Sequence, residues 1–88
     1  MQTDPIIILG RHAKNKLRRY RDRLVEAEIT AAIEHPDEVT PSEKGRSNAW
    51  KQRETDWIRV TYRTHGNRID VVTITLKDRG PRDEERTP

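Results

Sequence analysis

Pro36 divides this chain by period, and that change of period constrains the fold more than any other feature. Before it, Ala13, Leu17, Tyr20 and Leu24 step by four, three and four residues, and Val25, Ile29, Ala32 and Ile33 continue a helical spacing. Residues three and four apart lie on one helix face, so each segment must bury one stripe and expose the rest. After Pro36 the spacing becomes two. Trp57–Arg63 alternates Ile58, Val60 and Tyr62 against Trp57, Arg59, Thr61 and Arg63. Arg68–Lys77 is rich in β-branched residues on both faces, as a strand flanked on both sides would be. Proline disfavours helical geometry at the residue before it, so the second helix stops at His35.

The remaining elements follow from shorter signals. Pro5–Leu9 reads PIIIL, a β-branched run between Pro and Gly, and its unbroken apolarity predicts a buried strand with contact on both faces or an inner position in the sheet. Gly10 turns the chain into a first helix over His12–Leu24. The Leu24–Val25 pair marks the corner of an αα-hairpin, with Glu26 near the start of the second helix. Glu38–Thr40 and Asn48–Arg53 are expected as strands around a loop holding Pro41, Ser42, Lys44 and Gly45. His65-Gly66-Asn67 predicts a tight turn between the last two strands. The order is strand, two helices, then antiparallel strands, which predicts an α+β fold with both helices packed on one sheet. Residues 1–77 are expected to form one domain, and 78–88, without a single apolar side chain, a disordered charged tail.

Composition limits function. Eighty-eight residues, 31% hydrophobic and without Phe, allow only a thin core, which a second copy of the chain would help complete as a homodimer. No cysteine means no disulfide framework and no thiolate zinc site. Three separated histidines lack metal-ligand spacing, and there is no glycine-rich phosphate loop, so neither metal nor cofactor is expected. No apolar run nears the ~20 residues of a membrane span, and the opening lacks a signal-peptide pattern, so a cytoplasmic location is expected.

Net charge is only +3, but its distribution is lopsided. Around the first helix stand Arg11, Lys14, Lys16, Arg18, Arg19, Arg21 and Arg23 against Asp22 alone. Such a surface neutralises phosphates and favours a polyanion; RNA and an acidic protein are both eligible partners. Arg11, Lys14, Arg18, Arg19, Arg53 and Arg63 are the candidate RNA contacts, with Trp57 as a platform for base stacking. His12, at a helix start where the macrodipole favours neutral imidazole, is the candidate base for a metal-independent cleavage of RNA. Arg23, Lys51 and Arg59 are the candidate groups to stabilise charge in its transition state. The bland alternatives are a solvated basic helix face and a His12 that only secures the strand-to-helix turn.

Several short motifs, in order, carry a family likeness: His12-Ala13, Arg23, Glu28-Ile29, Ala32-Ile33, His35-Pro36-Asp37-Glu38-Val39, Ile58-Arg59-Val60 and Val71-Val72-Thr73-Ile74. Together they resemble the small family called domain of unknown function 4258. That family is similar in fold to RelE/ParE-like toxins and to compact bacterial ribonucleases of the colicin and EndoU kinds. The resemblance implies a metal-independent endoribonuclease or a toxin-like relative. A non-catalytic module for an acidic, antitoxin-like partner and a gyrase-inhibiting ParE-type toxin are the alternatives. The corner departs from the family pattern, reading Leu24-Val25-Glu26 where Gly-Ile-Thr is usual.

Overall fold

The computed structural model describes residues 4–82. Its elements run β1 (Ile6–Leu9), α1 (Arg11–Arg19), α2 (Glu26–Glu34), β2 (Glu38–Pro41), β3 (Ser47–Gln52), β4 (Trp57–His65) and β5 (Arg68–Lys77), with one 3-10 turn at Glu43–Gly45. The fold is α+β, as the change of period at Pro36 predicts. The five strands form one sheet in the order β1-β5-β4-β3-β2. β2 to β5 are antiparallel, whereas β1 lies parallel to β5, so the sheet is mixed. A parallel partner requires a crossover connection, and α1 with α2 supplies it.

β1 occupies an edge of the sheet, not the inner position its apolarity predicts. Ile6 and Ile8 remain 58% and 44% exposed, because α1 covers the other face and no strand among the described residues lies beyond. α1 also ends earlier than expected. Tyr20 caps it with φ −98° and ψ 17°, and the N–H groups of Arg23 and Leu24 both reach back to the Tyr20 carbonyl. The stripe therefore keeps its apolar anchors while Leu24 enters the core from a turn. The two-residue turn Gly66-Asn67 joins β4 to β5, and Gly66 takes the positive φ of 62° that its first position requires.

One face of the sheet carries the main core. Ala13, Leu24, Ile29 and Ala32 from the helical half meet Ala49, Ile58, Val60, Val71 and Ile74 from the strands, with Leu17, Tyr20 and Tyr62 packed around them. A register shift between Thr61 and Tyr62, paired with Thr73 and Val71, leaves Val72 as an extra residue in β5. It moves the apolar set of β5 from 69 and 71 to 74 and 76, which keeps both ends on the helix side.

The opposite face holds a second packed layer that the sequence does not announce. Trp50 pairs across from Arg59, on the side away from the helices, yet is only 2% exposed. Its ring meets Trp57 edge to face at 6.5 Å, and the Arg59 guanidinium lies 5.6 Å above it. The indole N–H donates to Thr40 Oγ1 at 2.9 Å. The cover comes from residues 78–82, expected as the start of a free tail. Gly80 and Pro81 are buried, and Arg82 reaches Glu38 on β2 at 3.6 Å. The remainder of the expected tail, 83–88, lies outside the described residues.

Gly80 is required by contact: a Cβ there would stand 2.7 Å from two Trp57 ring atoms. The Gly80→Ala variant should therefore lose on the order of 1–3 kcal/mol, the usual cost of overpacking. A melting curve followed by tryptophan fluorescence checks this. An unchanged midpoint would show that the segment does not rest on Trp57.

Candidate nucleic-acid interface

Arg53, an expected RNA contact, and Lys51, a candidate charge-stabilising group, both turn inward. Arg53 follows β3 and donates to Asp56 through Nε at 2.6 Å and Nη2 at 2.8 Å, a bidentate pair. Its Nη1 donates to the Arg23 carbonyl at 2.5 Å and to Glu28 Oε2 at 2.9 Å. One guanidinium thus ties the β3–β4 turn to the helix corner. Hydrogen bonding and charge from two carboxylates raise its pKa further above an already high value, against the opposing effect of burial. The same hydrogen bond holds Asp56 below the usual carboxylate range, and Arg53 and Arg23 add attraction against desolvation. Glu28 also accepts the Val25 backbone N–H at 3.0 Å. It supplies half a capping box at a helix start whose N-cap, Val25, has no side-chain oxygen.

Lys51 performs a matching task at the other end of α2. Its Nζ donates to the His35 carbonyl at 2.9 Å, satisfying a group left open by the helix end, and lies 4.0 Å from Asp37. Asp37 in turn accepts the Gln52 N–H at 2.7 Å. Lys51 and Arg53 latch α2 to the sheet from its two ends.

The four candidate catalytic groups do not share a site. His12 is exposed in the first turn of α1, on the helix side of the sheet. Arg59 lies on the other side, over Trp50. Lys51 is held at the end of α2, and Arg23 sits at the corner with its guanidinium 3.7 Å from Asp56. Trp57 is half-buried between Trp50 and Gly80, so it is not an open platform for a base. Arg63 is exposed near the end of β4, on the Arg59 side.

What the structure does bring together is the cationic surface of α1. Arg11, Lys14, Arg18, Arg19 and Arg21 are all exposed, and no acidic side chain among the described residues pairs with them. Lys16 is the half-buried exception, with its ammonium 5.8 Å from the Tyr20 ring. Lys14, Arg18 and Arg21, with the carboxylate of Glu26, also rim an open groove of about 560 Å³ whose floor is Leu9, Leu17, Leu24 and Val25. The sequence spacing reveals the cations but not this groove, because Leu9 comes from a different element and Val25 from the corner.

Among the described residues, no group of three or more His, Cys, Asp or Glu side chains is placed to hold a metal ion. No helix among them is long and apolar enough to cross a membrane. No family model, curated protein or solved structure matches the chain.

Proposed function

We propose that this protein binds RNA through the exposed face of α1, reading phosphates and not bases. The observation that carries this is five cations on one short helix and turn, without acidic partners among the described residues. Unpaired surface charge in water costs little to keep, and it gains when a polyanion releases its condensed counterions. Arg11, Lys14, Arg18 and Arg19 form the contact set, and Arg21 continues it at the turn. The order strand, two helices, antiparallel strands supports a RelE/ParE-like reading of the fold and, with it, a cytoplasmic toxin-like relative.

The proposal is binding without cleavage by the His12 set, since His12 and Arg59 lie on opposite sides of the sheet. Titration of labelled single-stranded RNA across a salt series tests it. Four phosphate contacts should give a slope of log affinity against log salt of about −3. The Lys14→Glu/Arg18→Glu variant should flatten that slope by at least about 1.4, the share of two contacts. His12→Ala should leave affinity unchanged, and RNA should remain intact in EDTA with either protein. An affinity insensitive to salt, or indifferent to the double charge reversal, would sink the proposal.

A further inference from the structure

The free edge of β1 ends at the groove beside α1. Ile6 and Gly10 donate their N–H groups inward, to Asn67 and Val71 carbonyls, both at 2.9 Å. Alternation along a strand then aims the N–H and C=O of Ile7 and Leu9 outward, where no strand among the described residues meets them. Ile6 and Ile8 are exposed on one side of this edge, and Leu9 begins the groove on the other. Beyond Leu9 the floor continues through Leu17 and Leu24 to Val25, which is 56% exposed, under a rim where Lys14, Arg18 and Arg21 outnumber the one carboxylate, Glu26. Natural edges are usually blunted by charge, proline or a covering loop, and the four residues of β1 carry only aliphatic side chains.

We infer that this edge and groove form a docking surface for an extended protein segment of alternating aliphatic and acidic residues, added as a sixth strand beside β1. Strand addition satisfies the outward groups of Ile7 and Leu9. The period of two then sends aliphatic side chains toward Ile6 and Ile8, and carboxylates toward Lys14, Arg18 and Arg21. Charge selects this occupant over a second copy of the chain. A two-fold axis at β1 keeps both helix layers on the same side of a continuous sheet, so it would bring two cationic α1 helices together. Lys14 and Arg18 belong to the RNA surface as well, so the segment competes with RNA; that consequence alone rests on the proposed function.

The probe is a blocked, labelled octapeptide alternating glutamate and valine, titrated against the full chain without nucleic acid. A lysine–valine peptide is the charge-reversed control. Two further versions carry backbone N-methyl groups on either the odd or the even residues, which removes donors from one edge of the peptide at a time. The glutamate peptide should bind, the lysine peptide should not, and one N-methyl version should weaken at least about tenfold while the other is unaffected. Ile6→Ser should weaken peptide binding severalfold and leave RNA affinity unchanged; the side chain is 58% exposed and lies on the face away from α1, so the loss is not one of core packing. Sedimentation should return a monomer. Equal binding of both N-methyl versions, binding of the lysine peptide, or a dimer that the peptide dissociates would each overturn the assignment. Failure of the peptide with intact salt-dependent RNA binding would overturn this inference alone.

Discussion

Arg53→Ala is expected to be the most destabilising single replacement of a charged residue in this chain, costing about 3–5 kcal/mol, the range for breaking a buried pair by removing one partner. The side chains of Arg53 and Asp56 are 18% and 6% exposed, so the variant strands a carboxylate with only the more distant Arg23 guanidinium for company. It also frees the Arg23 carbonyl and Glu28, and with them the tie between the β3–β4 turn and the helix corner. The effect should depend on pH. Asp56 is held below its unfolded value chiefly by the Arg53 hydrogen bond, so its contribution is fully present above the unfolded carboxylate pKa of about 3.9. That contribution disappears as pH falls through the lower folded value. Urea unfolding of both proteins should therefore show a gap that is widest near neutrality and narrows in acid. A gap below about 1 kcal/mol at pH 7, the scale of an exposed ion pair, would reduce the clamp to a surface contact.

Trp50→Ala should cost about 3–5 kcal/mol by loss of packing alone. Trp50 supports the whole layer on the face away from the helices: Trp57 stands against it, Arg59 lies over it, and Thr40 accepts its N–H. A domain of this size has a total stability on the order of 4–13 kcal/mol, so the variant loses a large share of it and should melt roughly 12–40 °C lower. Trp50→Phe retains an aromatic ring and loses the hydrogen bond, and should cost about 1–2 kcal/mol. Circular dichroism melts separate the two. Equal and small losses would mean that the second layer is only a cover, with the stability of the domain residing on the helix side.

Local period was enough to read β5 on Arg68–Lys77 and the end of α2 before Pro36, while α1 stops at Arg19, short of the Leu24 its spacing predicts. What local pattern does not carry is which neighbour covers each face. IIIL has the composition of an inner strand, yet the crossover through two helices leaves β1 at the edge. The segment after Lys77 has no apolar side chain, and it packs because Gly80 offers a bare backbone that fits against the Trp57 ring. The same limit applies to the site. Lys51 and Arg53 stand in the sequence as cations without obvious partners. Their partners are the His35 carbonyl, Asp56, Glu28 and the Arg23 carbonyl, and three of these four come from the helical half of the chain. The α1 cations were legible because their exposure follows from the helix period alone. His12 is placed at the helix start as expected, but the groups that would have to converge on it are distributed by topology over both sides of the sheet.

The most direct test of an RNA surface on α1 is a residue-by-residue map of where RNA touches. Amide chemical shifts of the ¹⁵N-labelled protein should be followed while single-stranded RNA is added at low salt. RNA binding through α1 predicts that the perturbed amides lie within residues 11–23 and at Leu9, with Trp50, Trp57 and Arg59 unmoved. Perturbations centred on the Trp50–Trp57–Arg59 face, with α1 silent, would contradict it.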